Sequence, residues 1–492
     1  MSDREQDVRR ERLAAARASG IDPFPARVGS RTSIAELRAR HDEQDTETLD
    51  AAMPEAALVG RVRAVRSFGK LMFLDVVEEG VSFQVSARKG ETPDETFAFL
   101  RTLDVGDFVR VSGRVWRTKK GELSLAASVA TLLAKSLRPL PEKWHGLSDV
   151  ETRFRQRHLD LLANPRAREI AILRSRMVSA LRRFLDERGF LEVETPVLQP
   201  LYGGAAARPF ATHHGTYDQA LFLRISDELY LKRLIIGGLD RVYEIGHDFR
   251  NEGVSRKHNP EFTMLECYQA YADFEDMMRL TEAMVQAVAQ QVIGTEQLVF
   301  QGQAIDLSGS WPRVRMDDAI RSATGVDVLA AADLPALRQA ISASGRSVPE
   351  ASSWAKLVDE LFSEHVEPNL VQPTFVTHHP AALSPLAKRC PDDPRVVERF
   401  EVFVAGFELG NAFSELNDPD DQRARFEEQS EAARAGDDET QPVDEDFLAA
   451  LESGMPPTGG FGLGVDRLAM LFADAAHIRE VILFPHLRPG SG

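Results

Sequence analysis

Four side chains that could grip an anion, Arg250, Arg256, Lys257 and His258, crowd together with Glu252 into nine positions of one segment, RVYEIGHDFRNEGVSRKHNPEFTMLECYQAY (241–271). Forked guanidinium donors and mobile cations between two strand-like runs suit a ligand that carries phosphate. In the second run, period-two alternation puts Phe262, Met264, Glu266 and Tyr268 on one face. A carboxylate beside a tyrosine on an otherwise apolar face is costly unless a cation pairs with it. That cation can belong to a ligand or to an internal salt bridge.

A second group lies in FEVFVAGFELGNAFSELND (400–418). If Ala405-Gly406 forms a two-residue hairpin loop, Glu408 lies opposite Phe403, and Glu401 shares that face. Two carboxylates held diagonally adjacent repel, and a divalent cation is their natural third party; two solvated acids are the alternative. Asn411, Phe413 and Glu415 also share a face, but strict alternation makes it the opposite one. A bulge near Gly410 is therefore predicted, to turn both sets toward one ligand.

The third group is GGFGLGVDRLAML (459–471), where Gly460, Gly462 and Gly464 precede an apolar-periodic helix with Arg467 in its first turn. Glycines admit close approach to a ligand and a helix N-terminus favours anions, although a glycine-rich packing loop reads the same way. Neither G-x-G-x-x-G nor G-x-x-x-x-G-K-[ST] occurs, which removes the two common nucleotide-binding loops.

Such groups need a sheet to hold them. Strand-like runs at 220–226, 241–250, 260–271, 373–379 and 400–416, interspersed with helices, predict a mixed, mainly antiparallel sheet. Ahead of them Ile170, Leu173, Met177, Leu181, Phe184 and Leu185 follow a 3.6-residue period, predicting a helix over 168–189, after which FLEVETP reads as a strand ending at Pro196. Residues 311–370 read as a helical insertion.

Nearer the N-terminus, alternating runs at 56–66, 71–76, 81–87, 107–116 and 121–133, with a helical stretch at 93–102 after the third, give the element order of an OB-fold barrel. Residues 1–54 read as a surface helical extension whose Val8, Leu13 and Leu37 are too sparse for a core, 55–135 as the barrel and 136–165 as a Pro-punctuated linker.

The 492 residues carry 59 Lys+Arg against 76 Asp+Glu, a net charge of −17 that argues against a polyanionic partner until its distribution is read. Residues 1–150 hold 24 basic and 23 acidic side chains, whereas 401–450 hold 3 and 15. The acidity is thus local, and Arg110, Arg114, Arg117, Lys119 and Lys120 are free to face nucleic acid. The run 427–446 reads as a solvated helix and loop. Cys267 and Cys390 cannot form a disulfide framework, and no apolar leader or membrane-length run occurs, so a cytoplasmic protein is expected. The adjacent pairs His213-His214 and His378-His379 point to opposite faces of a strand and do not suggest a metal site.

In this order, GFLEVETP (189–196), FRNE (249–252) and GFGLGVDR (460–467) resemble the three signature motifs of class II aminoacyl-tRNA synthetases. RPLPEKWHGL, RQRHLDL (155–161), GGAAARPFATHH (203–214), ELYLKRL (228–234), HNPEFT and FSELND are similar to the lysyl-tRNA synthetases of the bacterial and eukaryotic type. The resemblance covers the chain from about residue 55. It implies an α+β protein: an OB-fold that binds the anticodon, and a class II catalytic domain over 166–492 on a mainly antiparallel sheet flanked by helices. It also implies an enzyme that activates L-lysine with ATP and Mg2+, charges tRNA(Lys), and works as a homodimer through its first motif.

The resemblance assigns roles by position. Arg250 contacts the amino-acid carboxylate and the α-phosphate, and Arg467 holds the γ-phosphate and covers adenine; these two are the catalytic pair. Glu252 meets the adenine amino group, Phe262 stacks on the ring, and His258 and Asn259 lie beside the nucleotide. Glu401 and Glu408 carry magnesium. The lysine α-ammonium meets Glu228 and the Gly204 backbone, and the ε-ammonium meets Glu415 and Tyr268. Glu266 supports them, Asn411 reaches the carboxylate end, and Phe413 packs on the stem. In the barrel, Arg66, Phe73, Gln84 and Glu122 fall where this family reads the anticodon.

Three positions beside the pocket depart from the family pattern: Asp227 for a common Pro, His247 for a basic residue, and Cys267 for a larger one. They leave open a specialised or inhibitor-tolerant copy. Two rivals follow from the same resemblance. A lysine-activating paralogue loading a non-tRNA acceptor would lack the barrel, and a non-catalytic RNA-binding homologue would lose Arg250, Arg467, Glu401 or Glu408.

Overall fold

A computed structural model describes residues 2–140, 147, 149–434 and 440–489. They fall into two compact units, Met1–Asp149 with His158–Pro165, and Val150–Arg157 with Arg166–Gly492. Positions 141–146 and 148 of the expected linker, most of RPLPEKWHGL among them, lie outside the described residues, and the rest is not all linker, because it includes helices Val150–Arg155 and Arg157–Ala163.

In the first unit five strands, Glu55–Phe68, Leu71–Glu78, Val81–Arg88, Phe108–Arg117 and Leu123–Ala134, close into a barrel, with helix Asp94–Leu100 after the third. Alternation explains it: Met72, Leu74 and Val76 point inward with Phe83, Val85, Val109, Val111 and Val115, and the intervening residues stay outside. This is the OB-fold order that the sequence predicts. The segment before it is more than a surface extension. Ile34, Leu37 and Leu49, from helices Ile34–His41 and Thr46–Ala52, are buried in the barrel's own core. Three of the arginines expected to face nucleic acid are occupied in holding this segment. Arg117 donates to the carbonyls of Gln44 and His41, Arg110 to that of Ser30, and Arg114 lies 3.9 Å from Asp50.

In the second unit an eight-stranded sheet runs Arg313–Arg315, Thr374–Thr377, Arg399–Val404, Phe407–Ser414, Thr458–Gly464, Glu261–Ala270, Arg241–Phe249 and Leu191–Glu192. Only the outermost pairings, at the two edges, are parallel. Helices Pro165–Asp186 and Phe274–Val292 bury Met177, Leu181, Leu185, Met284 and Val285 in the same core as Phe400, Val402, Phe461 and Leu463 of the sheet. The opposite sheet face carries the polar groups.

Four expectations are corrected. FLEVETP pairs over Leu191–Glu192 alone, because the chain turns away toward Pro196. The run at 220–226 forms Gln219–Leu223 in a separate three-stranded sheet with Leu198–Gln199 and Ala211–His214. The insertion opens with strand Arg313–Arg315 on the main sheet before helices Met316–Thr324, Leu334–Ala343 and Trp354–His365 build their own core on Ile320, Leu337, Leu357 and Leu361. The acidic run is not wholly solvated: 435–439 lie outside the described residues, but Thr440 and Gln441 are buried and so is Phe447 in helix Glu445–Glu452.

Candidate active site

The site is built on the polar face of the sheet, over a cavity of about 780 Å³. Its first wall is the antiparallel pair Arg241–Phe249 and Glu261–Ala270, in register from Arg241 opposite Gln269 to Phe249 opposite Glu261. As the alternation requires, Phe262, Met264, Glu266 and Tyr268 all line the cavity. The Arg250 guanidinium stands 5.1 Å over the Phe262 ring. Beside it Glu252, Lys257, His258 and Asn259 complete an anion-facing rim. His258 shares a 2.8 Å hydrogen bond with the Ser255 hydroxyl, and burial, reinforced by Arg467 and Lys257, pushes its pKa down to about 4. Asn259 donates to the Glu261 carbonyl, while its own buried Oδ1 has no partner and is left for a donor.

The hairpin supplies the second wall. Phe403 pairs with Glu408 and Val402 with Gly410, so Leu409 is an extra residue: the predicted bulge, one position before Gly410. It brings Glu401, Glu408, Asn411, Phe413 and Glu415 to one cavity. Glu401 accepts a 2.5 Å bond from Arg399, yet burial, with Glu408 and Asp359 nearby, raises its pKa to about 7. Burial also opposes ionisation of Glu408, but Arg467 outweighs it and keeps this pKa below the usual value; the Arg467 guanidinium donates to its carboxylate at 3.1 Å and to its carbonyl at 2.8 Å. Two carboxylates that line one cavity offer the oxygen donors that a hard divalent cation such as Mg2+ takes, and such a cation would favour the ionised form of Glu401.

The far end of the cavity is acidic. Ser226 and the Tyr268 hydroxyl each donate to Glu266 at 3.0 Å. Helix Glu228–Ile236 contributes Glu228, and Gly204 donates its N–H to Gln441 at 2.9 Å. Burial raises Glu228 to a pKa of about 7 and Glu415 to about 8, even with Lys232 opposing both shifts. Burial and the neighbouring acids Glu266 and Glu228 also push the Tyr268 phenol well above its ordinary value.

The structure thus brings the residues assigned to ATP, magnesium and lysine to one cavity, whereas Arg256, also singled out in the sequence, is exposed and does not line it. It adds others. Arg399 clasps Glu401, Asn411 and Ser384, and could have been found from its place two residues before Glu401 on an alternating strand. Lys232 could have been found from its i,i+4 spacing to Glu228. Gln441 carried no signal, being hidden in the acidic run. Asp227, Asp248 and Glu266 have carboxylate oxygens within 4.8 Å of one another. Asp227 is an N-cap whose side chain makes no cap bond and is buried against Glu266; burial and the neighbouring acids push its pKa well above normal. Of the three departures, only Asp227 abuts the pocket. His247 is exposed and paired to Glu261 at 2.9 Å, and Cys267 faces the hydrophobic core.

On the barrel, Arg66 pairs with Phe73 and Asp75 with Gln84, so Arg66, Phe73, Asp75 and Gln84 share one outer patch. Arg66 bonds Asp75 at 2.6 Å, the Ser124 hydroxyl donates to Gln84 at 2.9 Å, and Glu122 precedes that strand, 3.7 Å from Arg38. Asp75 was missed in the sequence.

Comparison with known proteins agrees with both units. Residues 56–133 match the family described as OB-fold nucleic acid binding domain, and 149–488 match tRNA synthetases class II (D, K and N). The chain is 55% identical over 486 residues to a protein of Roseiflexus castenholzii named lysine–tRNA ligase, covering 98% of each chain. It is 54% identical over 488 residues to one of Chloroflexus aurantiacus with the same name, covering 99% of this chain and 98% of the other. A third so named, from Moorella thermoacetica, is 50% identical over 482 residues, covering 98% and 97%. With a family match across the catalytic unit and near-full-length relatives at this identity, the chain belongs to the class II tRNA synthetases of the D, K and N group.

Proposed function

We propose that this chain is a lysine–tRNA ligase, which joins L-lysine to ATP to give lysyl adenylate and pyrophosphate and then passes the lysyl group to the 3′ end of tRNA(Lys). The observation that carries this reading is the Leu409 bulge, which turns the carboxylates Glu401 and Glu408 and the acidic end at Glu415 toward one cavity that Arg250 and Arg467 also line. Near-full-length relatives of the same name support it.

The chemistry asks for placement more than for a reacting side chain. The lysine carboxylate attacks the α-phosphorus in line, forming a new O–P bond as the bond to the pyrophosphate oxygen breaks. Arg250 meets the carboxylate and the α-phosphate, and Arg467 leaves Glu408 for the γ-phosphate, so charge is neutralised where it develops. Glu401 and Glu408 would hold Mg2+, whose bound form screens the phosphate oxygens. Phe262 offers its ring to adenine, Glu252 accepts from the adenine amino group, and a neutral His258 with Asn259 borders the nucleotide without adding charge. Glu228 and the Gly204 backbone take the α-ammonium, Asn411 the carboxylate end, and Phe413 the stem. Glu415 and Tyr268, supported by Glu266, take the ε-ammonium. A neutral analogue leaves Glu415 with no ligand cation, Lys232 being its one counterion among the described residues, a mismatch of the kind that buried polar sites reject by roughly 10⁴. Arginine is excluded by the shape of its head.

Arg66, Phe73, Gln84 and Glu122 form the anticodon reader, by stacking and base-edge contacts. Exposed Leu191, Val197 and Leu198 near the first motif support a homodimer. No helix among the described residues is long and apolar enough to cross a membrane, and the reading carries a cytoplasmic location with it.

Aminoacylation of total tRNA with each amino acid in turn, with ATP and Mg2+, tests the proposal. Charging with lysine alone is expected. Absence of lysine-dependent pyrophosphate exchange would sink the enzymatic reading, and exchange without tRNA charging would favour a non-tRNA acceptor.

A further inference from the structure

Lys232 has no surface exposure, and it lies one helical turn after Glu228 in helix Glu228–Ile236. Its ammonium donates to Glu228 Oε1 at 2.5 Å and makes a second, close ion pair with Glu415 Oε2. The Phe447 ring centroid lies 6.0 Å from the ammonium, and two carboxylates are its ion-pair partners. Both acids line the cavity, and Lys232 does not. One internal cation therefore clamps, from behind, the two carboxylates that face the two ends of the substrate.

The charges around it can be counted. Glu228, Glu266 and Glu415 line this end of the cavity. Arg399, the other cation acting on Glu228, is engaged with Glu401. Behind Glu266, burial and the neighbouring acids push the Asp227 carboxyl well above its ordinary pKa, toward its neutral form, and Arg224 is paired with Glu244 and Asp248. Tyr268 stays neutral. When the substrate's ammonium groups draw all three carboxylates into their ionised form, Lys232 offsets one of them and two negative charges remain for the two ammonium groups.

Resting on the lysine-activating reading above, we propose that Lys232 is a positioning and specificity residue: it fixes the spacing of Glu228 and Glu415 and sets the charge left for the substrate's two ammonium groups. A pocket tuned in this way discriminates by the distance between two positive charges, so a diamino acid one methylene shorter is rejected by misplacement as well as by lost contact. Without Lys232, Glu228 and Glu415, already raised by burial, rise further and hold their protons to higher pH, so lysine must displace more protons to bind. The KM for lysine then falls as pH rises, more steeply than in the unaltered chain.

The test is amino-acid-dependent pyrophosphate exchange by the full chain, with lysine and with ornithine, from about pH 6 to about pH 9, for the unaltered chain, Lys232→Met and Lys232→Arg. Lys232→Met is expected to raise the KM for lysine roughly 100-fold near neutral pH with a smaller change in kcat, to narrow the lysine-to-ornithine ratio by about tenfold, and to steepen the pH dependence of KM. Lys232→Arg keeps the charge but not the fit, so it is expected to retain the pH profile while narrowing the ratio. A Lys232→Met enzyme with the parent's ratio and pH profile, whatever its melting temperature, overturns the inference. If that variant does not fold, a Lys232→Arg enzyme with the parent's ratio overturns it instead. Either result alongside normal lysine exchange by the unaltered chain defeats this inference alone; no lysine exchange by the unaltered chain defeats the underlying reading as well.

Discussion

Gly460 lies against Glu415 so closely that a Cβ on it would stand 2.0 Å from the carboxylate Oε1, and 2.5 Å from Cε1 of Tyr268. The glycine of the third motif is therefore a space reserved for the two groups that close the acidic end. Gly460→Ala should lower kcat/KM for lysine by about 100-fold or more, the scale of an ångström-level misplacement, and leave ATP binding near that of the parent. Glu415→Gln should abolish lysine activation while leaving Gly460 unobstructed. Exchange kinetics with calorimetry of ATP binding separate the two, and an unimpaired Gly460→Ala enzyme would refute this account of the glycine.

Glu401 makes the magnesium requirement sensitive to pH. Its pKa is raised to about 7, so it is protonated below that value, and a proton then competes with the cation. Half-maximal exchange should require more Mg2+ as pH falls through about 7. Glu401→Gln should raise the requirement by roughly 10- to 100-fold and flatten its pH dependence. Magnesium titrations on either side of neutrality decide the matter.

His258 should contribute to acid sensitivity. Its folded-state pKa of about 4 lies below the ordinary histidine value of 6.5, so the unfolded chain binds more protons between these values. Its contribution is present in full above the higher value and is lost as pH falls toward the lower one. His258→Asn should make the decline in melting temperature over that interval shallower, and an unchanged slope would show that the imidazole is not held neutral.

Phe73→Ala and Gln84→Ala should separate the two halves of the reaction. Loss of a stacking platform costs about 1–3 kcal/mol, so kcat/KM for tRNA should fall roughly 10- to 100-fold with lysine-dependent exchange untouched. Charging measured beside exchange on the same preparations reads both.

Much of this was legible in the chain because period and chemistry coincide. The barrel strands declare themselves by alternation, and Phe262, Met264, Glu266 and Tyr268 are one face of one strand. The bulge was legible for a different reason: two acidic sets out of phase on one hairpin leave no other way to serve one ligand. What escaped depended on partners distant in sequence. Gln441 reaches Gly204 across 237 positions, and Arg117 holds Gln44 across 73. Leu37 looked isolated, and Ile34 and Leu49 went unremarked, because their apolar neighbours belong to the barrel and not to their own helices. Asp227 was noticed as unusual, but nothing local announces that an N-cap acid will forgo its cap and turn inward.

The extra residue at Leu409 gives the hairpin a parity. On one side of it Glu408 pairs with Phe403 at the loop end, and on the other Asn411 pairs with Glu401. Because a strand presents its sides in turn, removing that single residue would reverse one set relative to the other, with every side chain chemically intact. Length changes in this hairpin are therefore tolerable only at the Ala405-Gly406 tip, where they alter neither count. Among descendants of such a chain, one-residue insertions or deletions between Phe407 and Glu415 should be rarer than substitutions at the same positions.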